Sequence, residues 1–357
     1  MSLKPLTLDD FSHLASLMLD LGLHEECIAL STQGLKQWPG NAEVSLAKSF
    51  AELLLGRFPQ AWEGYEQRFR LPSQAGVAQP QGQRWSGQPL DGKTLLISTE
   101  QGLGDAIQML RFLPLLCQQC DKVYFEAFPA ILPLAASQKT GAVVLAEGAP
   151  LPRYDYYCPV MSLPYALQLT EATIPVDIPY IHVPEALRRA WSGRLGHRRQ
   201  PRLGIVWSGN PNHVNDANRS LPLAALLDAI PKGWDVFSLQ KELRGNDAHW
   251  IETTGRVRHF GDDLHTLMDT AALASEMDLV VSVDTSVAHL VGALGRPLWL
   301  LLPHNPDWRW IVGRDTTPWY PSARLFRQTI DQLPADLLQR IGSELAAELS
   351  RQSALPA

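Results

Sequence analysis

Residues 278–302 read DLVVSVDTSVAHLVGALGRPLWLLL, and this run decides the fold class. Residues 278–283 form an apolar, β-branched segment of strand length, Asp284-Thr285-Ser286 a polar turn, 287–294 an apolar helix, and 297–302 a second apolar strand. Strand, turn, helix and strand in this order predict an α/β domain. Asp284, His289, Arg296 and Pro297 interrupt the run, so it does not supply the roughly 20 apolar residues of a membrane span.

The same pattern continues upstream. A strand is expected at 202–207 (RLGIVW), a polar loop at 208–220 (SGNPNHVNDANRS), a helix at 222–230, a strand at 234–239 and a helix at 264–275. A basic helix and linker at 188–202 separates this unit from an earlier one. There, 93–99 (KTLLIST) reads as a buried strand, 100–105 (EQGLGD) as a Gly-rich turn, 106–120 as an apolar helix and 122–126 as a strand. Weaker alternation extends to 143–145, 155–158 and 178–182. Two α/β units joined by a linker place a cleft between the carboxyl ends of two parallel sheets.

Residues 71–92, rich in Pro, Gly, Gln and Ser, read as a linker. Before it, Leu19, Leu21 and Gly22 recur as Leu53, Leu55 and Gly56 at an offset of 34 residues. That period, with Leu-Gly at the bend between two amphipathic helices, resembles the tetratricopeptide repeat. Residues 1–70 hold about two such units, fewer than the three a free stack needs, so they are expected to dock on the rest of the chain. The expected division is therefore a helical repeat at 1–70, α/β domains at 93–184 and 200–330, and a final helix within 331–357.

Composition narrows the function classes. With 31 basic against 37 acidic residues the net charge is −6, which argues against a nucleic-acid partner. Four cysteines are too few for a disulfide scaffold, and the Cys117-Cys120 pair lies late in an expected helix without a second pair. No metal-ligand spacing, P-loop or nucleophile elbow is present. The first residues lack a signal-peptide layout, which reads as cytoplasmic.

Three segments carry candidate chemistry. In EQGLGD, Gly102 and Gly104 free the backbone for a tight turn, and the next helix points its N–H groups toward the cleft. Asp105 at the head of that helix is either a general base or a simple N-cap acid; Gln108 shares its face, and Glu100 at the strand end is the reserve base. Two glycines with Glu126 about 20 residues on also suit a dinucleotide site, although Ile107 occupies the third glycine position. Asp284, Thr285 and Ser286 open a helix that suits a phosphate or is plainly capped, and His289 lies four residues after Thr285 on the same face. Ser208, Asn210 and Arg219 belong to the polar loop, and Lys241, with Gln240 beside it, comes just after the next strand. Arg219 and Lys241 together are suited to a diphosphate leaving group.

As a set, EQGLGDAIQMLRFLP, MSLP at 161–164, GIVWSGNPNHVNDANRS, FSLQKE at 237–242, DTAAL at 269–273, the opening run and PDWRW resemble the bacterial tetratricopeptide-repeat glycosyltransferases. The catalytic half is similar to the heptosyltransferase-type family 9 glycosyltransferases. The resemblance implies a GT-B fold of two Rossmann-like domains, an acceptor-side one at 93–184 and a nucleotide-sugar one at 200–330, with a final helix crossing back, and an inverting, metal-independent transfer. The sugar would pass from a nucleotide-sugar co-substrate to a hydroxyl of a protein or glycan, recruited by the repeat, with no cofactor. It further implies Asp105 as base and Asp284, Thr285 and His289 around the donor phosphates. A lysine that the family carries after the first donor-domain strand is replaced here by the Asn-rich loop ending in Arg219, so the donor is left open. The competing readings are a catalytically inactive repeat-bearing scaffold and an NAD-dependent oxidoreductase.

Overall fold

The computed structural model describes residues 6–74, 80–331 and 333–353. Its N-terminal part is four helices, Leu8–Asp20, His24–Gln37, Ala42–Leu54 and Phe58–Tyr65, arranged as two hairpins. Thr7 caps the first helix, its hydroxyl accepting from the Asp10 N–H while Asp10 accepts from the Thr7 N–H, and Asn41 caps the third. Gly22 and Gly56 end the first and third helices at φ +74° and +75°, and their N–H groups return to Leu19 O and Leu53 O. The left-handed turn explains why glycine recurs at that offset.

Beyond the helices lie two parallel sheets. The first has the order β1-β5-β2-β3-β4, from Gln83–Arg84 (β1), Thr94–Ser98 (β2), Lys122–Ala127 (β3), Val143–Ala146 (β4) and Tyr156–Pro159 (β5). The second runs β11-β10-β9-β6-β7-β8, from Arg202–Val206 (β6), Asp235–Ser238 (β7), Val257–His259 (β8), Leu279–Val283 (β9), Leu298–Leu302 (β10) and Ala323–Arg327 (β11). Strands β6, β9 and β10 are buried at every position, the mark of a parallel sheet covered on both faces. In that sheet the strand order reverses between β6 and β9, which opens a crevice at their carboxyl ends. The architecture is mixed α/β with two Rossmann-like sheets.

Four expectations need correction. Residues 71–92 are more than a linker, because β1 pairs in parallel with β5, and Trp85 and Leu90 are buried beneath it. Alternation at 178–182 makes no strand; Tyr180 and Ile181 instead donate to Ala293 O across to the second unit. The helix expected at 106–120 is broken by a 3-10 turn at Leu110–Phe112, where Pro114 fits the start of a new helix, Leu113–Gln119. The final helix, Pro334–Ser353, stays on its own domain instead of crossing back. Leu337, Leu338, Ile341 and Leu345 join the second sheet's core, and Arg324 pairs with Glu344. No described helix is long and apolar enough to cross a membrane.

The helical unit is held against both sheets. Trp62 donates its indole N–H to Leu169 O at 2.8 Å on the first α/β unit and packs edge-on against Trp308 of the second, ring centroids 5.5 Å apart. Tyr65 meets Trp308, Phe58 meets Trp319, and Val312 N–H donates to Leu54 O at 2.8 Å. Leu53, Phe58, Trp62 and Tyr65 therefore belong to one continuous core with the first sheet. Removing Trp62 deletes a large buried ring and a buried hydrogen bond. Trp62→Ala is expected to cost about 3–5 kcal/mol of stability, read as an earlier urea midpoint; a midpoint equal to the parent's would contradict this docking.

Candidate active site

Strand β2 ends at Ser98, and the chain turns through Thr99–Gly102 into the helix Leu103–Met109. Gln101 takes φ +61°, uncommon for a side-chain-bearing residue, and its amide donates to Tyr65 Oη at 3.0 Å. Glycine at 102 brings no capping side chain, so Asp105 reaches back and accepts from Gly102 N–H through Oδ2 at 2.6 Å. The other carboxylate oxygen, Oδ1, is ion-paired with Arg309. Capping and electrostatic roles thus coexist in Asp105.

Across the cleft, β9 ends at Val283 and Thr285 is the N-cap of the helix Ser286–Ala293. Its side chain makes no capping bond, and its buried hydroxyl has no partner among the described residues. The plain capping open to this turn in the sequence is not what forms, since the N-cap is Thr285 and not Asp284. Gly104 is what lets the two helix starts meet. A Cβ there would lie 2.7 Å from His289 Cδ2 and 3.5 Å from Ser286 Cα, so only glycine fits. The same contact fills the space over Gly104 that a dinucleotide pyrophosphate would need, against the oxidoreductase reading.

His289 is buried, accepts or donates through Nδ1 to Tyr320 Oη at 2.9 Å, and stacks on Trp310. Burial, then the cations Arg309 and Arg111, hold its pKa well below the usual value, so the ring is neutral. It serves as packing between the two domains, and a cationic role toward phosphate does not fit it.

Of the other residues expected on the donor side, Ser208, Gln240 and Arg219 lie at the β6/β9 crevice. Gln240 clamps Ser208, donating to its carbonyl at 3.0 Å and its hydroxyl at 2.9 Å. The Arg219 guanidinium lies over Gly209, where a Cβ would come within 2.5 Å of it, and donates to Asp284 O at 2.9 Å. Asp216 holds it from behind and is itself paired with Arg244. Asn210 and Lys241 are exposed, and Lys241 is not drawn into this cluster. Glu100 points the other way, toward the helical unit. Its Oε1 accepts from Arg68 at 2.8 Å and from Met161 N–H at 3.0 Å.

A residue to which the sequence assigns no role stands at the centre. Arg309 is 4% exposed and donates to Gln108 Oε1 at 2.7 Å, to Asp307 Oδ1 at 2.8 Å and to Asp105. Burial opposes its charge, but Asp307 and Asp105 outweigh it and keep it a cation. Gln108, expected on the acceptor side, is thus a buried support for Arg309. The available signal is Asp-Trp-Arg-Trp at 307–310, a charged residue between tryptophans in a segment too short to solvate it. Asp284 is pushed up to about 7 by burial and then by nearby Asp307, partly offset by Trp310 and then by Arg219 and Arg309. Near neutrality it therefore carries a proton much of the time, which relieves the charge conflict a bound phosphate would meet.

No family model matches the chain. It is 28% identical over 337 residues to protein FlbA of Caulobacter vibrioides, covering 86% of this chain and 56% of that protein. The chain thus spans little more than half the length of this curated relative. Among solved structures it is similar to the ADP-heptose LPS heptosyltransferase II of E. coli, with a TM-score of 0.53 and 16% identity over 73% of this chain and 100% of that one. A glycosyl transferase of family 9 from Veillonella parvula gives a TM-score of 0.51 and 11% identity, over 74% and 99%. These likenesses establish a shared α/β fold. Among the described residues no group of three or more His, Cys, Asp or Glu side chains is placed to hold a metal ion.

The raised Asp284 pKa has a testable sign. Its ordinary value is 3.8, so the folded chain takes up this proton more readily than the unfolded chain. The stability it contributes is complete below about pH 4 and is lost as pH rises through about 7. Urea unfolding across that range should show Asp284→Asn losing less stability than the parent between acid and alkaline pH. Parallel profiles would contradict the assignment.

Proposed function

We propose that the chain is a glycosyltransferase that moves a sugar from a nucleotide-activated donor to a hydroxyl of a protein or glycan acceptor, with inversion and without a metal. The observation that carries this reading is the contact of Gly104 with Ser286 and His289. It sets Asp105 against the uncapped start of the Ser286–Ala293 helix, at the mouth of the β6/β9 crevice. The shared fold with glycosyltransferases of solved structure supports it.

The chemistry comes from those groups. A helix start with free N–H groups and the unpartnered Thr285 hydroxyl suits the donor diphosphate, and Ser286 lies in the first turn of the same helix. Arg219, held over Gly209, supplies positive charge to the diphosphate as the bond to the sugar breaks. Side-chain cations thereby do the work a metal does elsewhere. Ser208 and Gln240 shape the floor under the nucleotide. On the opposite side Asp105 accepts the proton of the attacking hydroxyl while Arg309, which retains Asp307 as a counter-ion, fixes its orientation. In this scheme attack and departure occur on opposite faces of the sugar carbon, which gives inversion. Glu100, tied to Arg68, remains the reserve base.

Two outcomes are expected. Calorimetry with UDP, GDP, CMP and ADP should find one nucleotide that binds, and Arg219→Ala should weaken it by about 1.5–3 kcal/mol, the worth of a charged hydrogen bond. Unchanged affinity would remove Arg219 from the site. In a transfer assay with the identified donor, Asp105→Asn should keep nucleotide binding and lose about 10²- to 10⁴-fold in turnover. Near-normal turnover would overturn Asp105 as base, whereas loss confined to Glu100→Gln would transfer the role to Glu100.

A further inference from the structure

A cavity of about 730 Å³ lies between the helical unit and the carboxyl edge of the first sheet. Phe50, Tyr65 and Phe128 supply aromatic walls, and Arg68, Glu126 and Glu147 supply the charges. The positive charge is already spent, because Arg68 pairs with Glu66 at 2.6 Å and with Glu100 at 2.8 Å. Glu126 accepts only a long bond from Gly148 N–H, at 3.4 Å, and Glu147 is exposed. Neither carboxylate forms an ion pair among the described residues.

This cavity continues into a second groove of about 700 Å³ along the helical unit, since Leu46, Phe50 and Leu71 line both. The second groove adds apolar Leu19 and Ala47, the imidazole of His13 and, at its rim, the carboxylates of Asp9 and Glu43. Those two also lack ion pairs among the described residues, so the track is apolar along its floor and negative along its length. Its inner end is formed by Glu100 and Gln101, which belong to the turn that leads into Asp105.

We propose that this continuous groove seats an extended polypeptide segment carrying lysine or arginine side chains among small apolar residues. Resting on the glycosyltransferase reading, that segment is the acceptor, and its inner end presents a serine or threonine hydroxyl past the Gln101 turn toward Asp105. Charge complementarity decides the class of occupant. Basic side chains find four carboxylates free to pair with them, whereas a phosphorylated glycan meets like charge throughout. The apolar floor favours a polypeptide, whose side chains alternate along an extended strand and bury one set while the other reaches the rim.

Fluorescence anisotropy on the full chain tests this, with a labelled dodecapeptide of Lys, Ser, Ala and Leu and the same peptide with Glu in place of Lys. The Lys peptide should bind, the Glu peptide about tenfold or more weaker, and salt near 0.5 M should weaken the first, as exposed charge pairs require. Glu126→Gln with Glu147→Gln should weaken the Lys peptide about tenfold, and Asp9→Asn with Glu43→Gln, at the other end, severalfold. Nucleotide binding, measured on each variant, reports an intact fold. Equal affinity for both peptides, no binding of the Lys peptide at about 1 mM, indifference to both double variants, or displacement by phosphorylated mannopentaose would overturn the proposal. Nucleotide binding by the parent with any of those results leaves the glycosyltransferase reading standing. Peptide binding without any nucleotide binding would defeat that reading, leaving a basic-peptide groove that serves no transfer.

Discussion

A guanidinium buried to 4% exposure is tolerable only when its charge and its donors are answered, and Arg309 is answered from both sides of the cleft. Asp307 comes from its own loop, while Asp105 and Gln108 come from the first α/β unit. Were the two sheets to separate, the cation would lose Asp105, Gln108 and the Met161 sulfur and keep Asp307. Breaking a buried pair of this kind typically costs about 3–5 kcal/mol, so the contact favours one relative placement of the domains. The close approach of Gly104 to Ser286 and His289 depends on that placement.

The loop that carries Arg309 depends in turn on the helical unit. Trp308 is enclosed by Trp62, Tyr65 and Trp319, and the Arg309 guanidinium stacks on the Trp308 ring at 4.3 Å. Val312 is held by Leu54 O, and Ile311 packs against Gly56, one of the two repeated turn glycines. The helices therefore act on the site through packing as well as through the groove they border. A hairpin pair too short to bury its own apolar face finds that burial in the aromatic loop, and the loop gains a fixed position for its charge.

Much of this is legible in the sequence, for physical reasons that also mark where legibility ends. Parallel strands covered on both faces read as unbroken apolar runs, so β2, β6, β9 and β10 stand out, as do Gly22 and Gly56 at equivalent turns, while β3, covered more on one face, shows through Val123, Tyr124 and Phe125. Strands β1, β8 and β11 do not, being two to five residues long and carrying Arg84, Arg258, and Arg324 with Arg327. The final helix shows an apolar face, but amphipathicity names a face and not its partner, so its docking on the second sheet is not readable. Asp105 and Thr285 are marked by their places between a strand and a helix, and Arg219 by the polar loop that leaves β6. Arg309 sits in the PDWRW stretch without a readable role, because its partners Asp105 and Gln108 lie about 200 residues away and no local spacing points to them. The helical spacing of His289 suggests a side chain facing a ligand, whereas Tyr320 and Trp310 enclose it.

The coupling between Asp105 and Arg309 is the most direct test of this account. A double-mutant cycle on unfolding free energy, with Asp105→Asn, Arg309→Gln and the pair together, isolates the interaction across the cleft. Strong non-additivity is expected, about 0.5–3 kcal/mol, with the second substitution costing much less once the first is present. Additive effects, within about 0.5 kcal/mol, would contradict it and leave the placement of the two domains to their other contacts, the hydrogen bonds to Ala293 O among them.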